Sequence, residues 1–200
     1  MRHNCYMEHP IIFSGEMVRA VLKGQKTQTR RVINPQPPQD SLWDEPSHLF
    51  IIEGSGFGIM RHCPYGKSGD SLWVRETWRT AEAPGGVFYR ADATDYMIEI
   101  STLSNGKPWR PSIHMPRWAS RITLEMIGLR VERLQDIGEE DVLAEGVSPT
   151  PPIGSMGSKA YNLESFKTIW DIINAKRGHS WKSNPWVWVI SFSKWVTGLD

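Results

Sequence analysis

The stretch VLKGQKTQTRRV, residues 21–32, changes its local pattern half-way along. Upstream and into it, Met17, Val18, Val21 and Leu22 recur at the spacing of one helix face, and Ser14 stands where an N-cap belongs. Gly24 supplies the stop, since glycine enters the left-handed conformation of a helix C-terminus without steric cost. Thr29 then suits a strand. On an ideal strand Lys26 and Thr29 face opposite ways, so they converge only if Gly24 to Thr27 forms a turn or bulge. A short helix, a turn and a strand are expected.

Working outward, the proline-rich run NPQPPQDSLWDEP (34–46) has no period and reads as a surface loop or inserted segment. HLFIIEG (48–54) and FGIMRHC (57–63) read as strands around a GSG turn, GDSLWVRETW (69–78) as a strand entered through glycine, and GGVFYRADA (85–93) as another. SRITLEMIGLRVERL (120–134) alternates as one long or bulged strand. GEEDVLAEG (138–146) is a short helix with acids in its first turn, as the helix dipole favours, ending at Glu145 and closed by Gly146. SPTPPIGSMGSK (148–159) is a loop, after which Asn162 caps a helix with Leu163, Phe166, Ile169, Trp170 and Ile173 on one face. PWVWVISF (185–192) is apolar on both faces and reads as a central strand. The pattern is α+β with mostly antiparallel strands.

Two hundred residues with 40% apolar content suffice for one domain with a proper core. The net charge of +1, from 23 basic and 22 acidic residues, gives no whole-molecule attraction to nucleic acid or anionic membrane. Binding to a polyanion must use a local patch. Arg19, Lys23, Lys26, Arg30 and Arg31 form one acid-free block; Lys107, Arg110, Arg117 and Arg121, interleaved with Trp109, His114 and Trp118, form another. Cations with flat rings between them suit single-stranded or flipped-out nucleotides. Glu132 to Glu145 carries six acids and one arginine, so charge is segregated although its sum is near zero. Trp170, Trp186 and Trp188 lie on apolar faces and read as core, whereas Trp109 and Trp118 are the stacking candidates.

No stretch approaches the roughly 20 apolar residues of a membrane span, and no secretory signal core is present, so a cytoplasmic protein with no membrane partner is expected. Cys5 and Cys63 are too few for a disulfide framework. The histidines show no zinc-ligand spacing, YGKSGD (65–70) lacks the first glycine of a phosphate-binding loop, and the common hydrolase motifs are missing. No metal and no cofactor are expected.

VLKGQKTQTRRV, GDSLWVRETW, ITLEMIGLRVERLQDIGEEDVLAEGV and PWVWVISF, in that order, resemble the ASCH domains of the PUA-like superfamily, above all the long ASCH proteins of bacteriophages and prophages. The resemblance covers most of the chain and implies a single domain over 1–200: a small, mostly antiparallel β-barrel with flanking helices. Residues 34–68 and 95–112 then read as insertions and 148–160 as a flexible loop. The implied ligands are RNA, other single-stranded nucleic acid or modified nucleobases. One branch, the bacterial N4-acetylcytidine amidohydrolases, is similar in its K-T-x-T motif and in a glutamate at the end of the acidic helix. Carried onto this sequence, the resemblance implies catalytic roles for Lys26, Thr29 and Glu145, and hydrolysis of an acyl group from the exocyclic amine of a modified cytidine. Arg30, Arg31, Trp73, Arg75, Glu76, Arg117, Trp118 and Arg121 are the candidate substrate-binding residues. The alternatives are a non-catalytic binder of RNA or modified single strands, and a ribonuclease.

The chemistry sets conditions on these residues. To act as a base, Lys26 must lose about 3 units from its ordinary value of about 10.4, roughly 4 kcal/mol against its charged form. Arg30 and Arg31 push that way. Glu145 at the negative end of a helix is disfavoured as an anion, while a neighbouring Lys26 cation opposes that. Glu76, between Arg75 and two tryptophans, is the rival carboxylate.

Overall fold

In a computed structural model, residues 6–38, 40–44, 49–52, 58–80, 86–93, 108–147 and 158–194 are described. The fold is mixed α+β. Strand β1 (Glu8–Ile12) leads into helix α1 (Gly15–Leu22) and strand β2 (Gln28–Val32). Next come β3 (Ser41–Asp44), β4 (Leu49–Ile52), β5 (Gly58–Met60), β6 (Ser71–Arg75), β7 (Trp78–Thr80) and β8 (Val87–Tyr89). The long β9 (Thr123–Arg133), the short helix α2 (Glu139–Ala144), helix α3 (Ser158–Asn174) and β10 (Trp186–Lys194) complete it.

The main sheet has the order β1-β6-β9-β10-β2. Its pairings are antiparallel except β1 with β6, which run parallel. Among the described residues the strands form this sheet, the three-stranded β3-β4-β5 sheet and the β7-β8 hairpin, with no closed barrel. The open order leaves β2 at an edge. Strand β9 is long and bulged as its alternation predicts: Gly128 faces Ser191 but Met126 faces Phe192, so Ile127 is the extra residue.

Strand β10 is buried on both faces for the reason its sequence suggests. Trp186, Trp188, Ile190 and Phe192 enter a core with Ile11, Phe13, Val18, Leu72 and Leu124. Val187 and Val189 enter a second core with Leu134, Val142, Phe166 and Trp170. Helices α2 and α3 cover that second face.

Residues 41–44, read as part of a proline-rich loop, form β3, because the prolines of that run flank SLWD and leave it free to pair with β4. Phe50 of β4 is fully buried in the main core, packed on Trp43 and Trp186, so β4 packs onto the main core from within the expected insertion 34–68. Helix α3 starts at Ser158, before the expected cap Asn162, which is buried within it. Residues 158–160 therefore belong to the helix, and 148–157, like 94–107 of the other expected insertion and Cys5, lie outside the described residues. Cys63 is a free thiol whose pKa burial pushes up to about 11. No helix among the described residues is long and apolar enough to cross a membrane.

Candidate functional site

The turn expected after α1 is present. Ser14 caps the helix by accepting from the Met17 N–H at 3.3 Å, and Gly24 adopts φ +72°. The amides of Gln25 and Lys26 both donate to Ala20 O, at 2.9 and 3.2 Å, which turns the chain before β2 begins. Thr27 then joins two elements: its N–H donates to Ala144 O at 2.8 Å, and its carbonyl accepts from the Phe192 N–H at 2.9 Å. The end of α2 is thereby fastened alongside Lys26.

This approach needs a glycine. Gly146 has φ +77°, and a Cβ there would sit 2.8 Å from Lys26 Cβ and 3.0 Å from Ala20 Cβ. With the glycine in place, Lys26 and Glu145 form an isolated antiparallel bridge. Lys26 is only 2% exposed. Its Nζ donates to Glu145 Oε2 at 2.7 Å and to the Glu145 main-chain oxygen at 2.8 Å. Burial lowers the Lys26 pKa, Glu145 opposes that fall, and the charges of Arg31 and Arg30 add to it.

Glu145 is held from its other oxygen by Arg30, whose Nη1 lies 3.4 Å from Oε1. Arg30 is itself buried and bonds Glu132, Asp141 at 2.9 Å and Gln28 at 2.7 Å. Arg130 braces the same two acids, with 3.0 Å to Glu132 and 2.8 Å to Asp141. A guanidinium so fully engaged holds α2 and the Glu145 carboxylate in place. Arg30, a candidate substrate-binding residue, thus braces Glu145 and also lines the cavity beside this network.

Beside this network, past the edge strand β2 and between α1 and α3, lies a cavity of about 690 Å³, within the usual range for small-molecule sites. Thr29, Arg30, Arg31 and Glu145 line it, with Met17, Tyr65 and Trp170. Thr29 and Arg31 share the β2 face opposite Ile190 and Trp188, whereas Arg30 sits opposite Val189 on the other face. Lys26 reaches the cavity through Glu145 and is not itself a lining residue. Among the described residues no hydrogen bond joins Lys26 to Thr29.

Arg31 is fixed by donating from Nη2 to Ile12 O at 2.6 Å, and its guanidinium lies 5.4 Å from the Phe13 ring and 5.9 Å from the Tyr65 ring. Pairing in β2 adds main-chain groups. Ile33 N–H donates to Trp186 O and Phe192 N–H to Thr27 O, so alternation turns the N–H and C=O of Arg30 and Val32 away from β10, toward the open edge.

The other six candidates lie elsewhere, and none lines the cavity. Glu76, 1% exposed, accepts two bonds from Arg121, at 2.9 and 3.1 Å, and Arg121 also bonds Asp92 and lies 3.9 Å over the Tyr89 ring. Burial raises the Glu76 pKa against the pull of Arg121. Glu76 is thus paired with Arg121 outside the cavity. Trp73 lies under the Arg75 guanidinium at 5.4 Å, Arg75 also donates to Ile113 O, and Arg117 forks onto Glu8 at 2.8 and 2.9 Å. Trp118 is 68% exposed and stands edge-on against Trp78. The residues missed from sequence, Gln28, Tyr65, Arg130, Glu132, Asp141, Arg177 and His179, carry no local motif. Only the concentration of acids at 132–145 hinted that cations must meet them.

No family model and no curated protein sequence matches the chain. Two solved structures are similar to it. One is a protein of Enterococcus faecalis V583 with family-model DUF984, at TM-score 0.46 and 10% identity over 98% of this chain and 87% of that one. The other is an ASCH domain from Lactobacillus crispatus JV V101, at TM-score 0.41 and 11% identity over 94% and 80%. Neither likeness bears on the chemistry, which rests on the residues around the cavity. Among the described residues no group of three or more histidine, cysteine or carboxylate ligands could hold a metal ion.

Proposed function

We propose that the chain is an amidohydrolase that removes the acyl group from N4-acylated cytidines or related modified bases, acting in the cavity beside β2. The observation that carries this reading is the buried Lys26–Glu145 pair at 2.7 Å, whose carboxylate stands on the cavity wall together with Thr29. Burial lowers the Lys26 pKa, and a lysine so placed against a carboxylate on the cavity wall is the kind of pair that acid/base work on an amide uses.

In the proposed reaction Thr29 Oγ1 adds to the acyl carbon, and its proton passes to the Lys26–Glu145 pair through the carboxylate at the wall. The pair then gives that proton to the exocyclic nitrogen as the carbon–nitrogen bond breaks, releasing the cytosine amine and leaving an acyl ester on Thr29. Water, deprotonated by the same pair, hydrolyses the ester and restores the threonine. Main-chain N–H groups at the open edge of β2 are suited to hold the carbonyl oxygen as charge develops there. This division of labour keeps the roles implied by the sequence resemblance, except that Glu145 rather than Lys26 lines the cavity with Thr29.

The test is release of cytidine from N4-acetylcytidine, followed by chromatography, for the parent and for Thr29→Val and Glu145→Gln. Turnover by the parent alone supports the reading; no turnover by folded parent refutes it. A second reading, a binder of RNA without catalysis, is favoured by the exposed Trp118, which follows Arg117 in the chain and stands edge-on to Trp78, over which Arg110 lies, all outside the cavity. Either reading suits a protein that meets nucleic acid in the cytoplasm, and a phage origin is part of the proposal.

A further inference from the structure

The proposed chemistry occupies the Glu145 side of the cavity and leaves a second group of lining side chains unused, namely Arg31, Arg177 and His179, with Asn34 and Asn174. Their charge is not balanced from within. Of the acids that line the cavity, Glu145 is already matched by Lys26 and Arg30, and Glu16 sits exposed on α1. Among the described residues neither Arg31 nor Arg177 meets a carboxylate in an ion pair. The carbonyl end of α3 adds about half a negative charge near Arg177. That offsets part of one guanidinium and none of the second.

Arg31 is also the better organised of the two. One amino group is tied to Ile12 O, the plane rests against Phe13 and Tyr65, and Nε is buried with no hydrogen-bond partner. A buried donor left without a partner costs free energy that a bound acceptor returns. Burial lowers the Arg31 pKa most, Tyr65 and Glu145 counter it, and the nearby Arg177 lowers it further. The two cations therefore repel, and an anion between them removes that repulsion. Arginine is the side chain best matched to the paired oxygens of a phosphate.

We propose that the Arg31–Arg177–His179 end of the cavity is a phosphate subsite, so that the substrate is a cytidine nucleotide, free or within a strand, rather than a free nucleoside. The choice of phosphate over other anions rests on the reading of the cavity as a cytidine site. Arg31 provides the fixed contact, and the exposed Arg177, on the turn Ala175–Arg177 that follows α3, closes from the rim. A monoester on a nucleotide and a diester in a strand offer the same two oxygens to this pair.

The test titrates cytidine, cytidine 5′-monophosphate and a cytidine dinucleoside monophosphate into the parent, Arg177→Ala and Arg31→Lys by calorimetry. Alongside, kcat/KM is compared for N4-acetylcytidine and its 5′-monophosphate. The expected result is at least tenfold tighter binding of phosphate-bearing ligands by the parent, weakening with salt, and a preference that falls below threefold in Arg177→Ala. Tighter binding of the diester assigns the phosphate to a strand, and tighter binding of the monoester to a free nucleotide; both support the subsite. Equal affinity for cytidine and its phosphates, no binding of either phosphate, or a preference untouched in both variants overturns it. Phosphate preference without hydrolysis refutes the amidohydrolase reading and leaves the subsite standing, whereas hydrolysis without preference does the reverse.

Discussion

Lys26 Nζ lies 2.7 Å from the Glu145 carboxylate and 2.8 Å from the main-chain oxygen of the same residue, so one buried ammonium holds both the side chain and the backbone at the end of α2. Lys26→Met leaves the carboxylate with Arg30 alone. Breaking a buried pair from one side costs about 3–5 kcal/mol. The loss is expected near the low end, because Arg30 still faces Glu145, and Lys26→Met/Glu145→Gln should recover part of it. Urea unfolding of the two variants checks both statements.

Glycine 146 gives a sharper test of the same contact. Its positive φ and the 2.8 Å approach to Lys26 Cβ act together, so Gly146→Ala should cost about 2–3 kcal/mol, at the upper end for strain of this kind. Gly24 has a similar φ of +72° but open space around it, and Gly24→Ala should cost only about 1–2 kcal/mol. Thermal or urea unfolding of the pair separates backbone strain from the steric clash. Equal losses would contradict the close packing of Gly146 on Lys26.

Much of this site follows from residues that are near one another in the chain. Gly24 after an amphipathic helix predicted the turn, and Gly146 after an acidic one predicted the stop that carries Glu145. The two-faced apolar run at 186–192 predicted the central strand. What sequence does not reveal is which partners Arg30 takes, since Gln28, Glu132, Asp141 and Glu145 come from three elements that meet only in the folded sheet. Arg30 therefore read like its neighbour Arg31, although both line the cavity and only Arg30 meets the acids. The pairing of Glu76 with Arg121 was hidden in the same way, because the two stand 45 positions apart in the chain.

The lowered Lys26 pKa fixes the sign of a pH effect. Below the folded-state pKa, lysine is charged in both states and the cost of burying it is fully present. Between that value and the unfolded value of about 10.4, the unfolded chain binds more protons, so the Lys26 contribution to stability rises with pH. Asp141 gives the acid limb: burial works against its ionisation, but Arg130 and Arg30 hold its pKa below the usual range, so its contribution is lost as pH falls through the lowered value. Unfolding across pH should show Lys26→Met lacking the alkaline rise relative to the parent, and Asp141→Asn lacking the acid loss.

Glu76 separates the cavity from the aromatic face. Glu76 is buried while Arg121 is partly exposed and keeps Asp92, so Glu76→Gln should destabilise the protein by about 1–3 kcal/mol. Turnover of N4-acetylcytidine by the folded variant should stay within about twofold of the parent. A hundredfold loss would return Glu76 to the catalytic centre.

The central claim is that Glu145, poised by Lys26, moves the proton in the cavity beside Thr29. The most direct measurement is kcat for N4-acetylcytidine in the parent and in Glu145→Gln, with folding of each verified by circular dichroism. The account predicts measurable turnover by the parent and a fall of about 10²–10⁴-fold in the variant, the usual worth of a positioned acid/base. Turnover by Glu145→Gln at the parent's rate, or none by either protein in folded form, would contradict it.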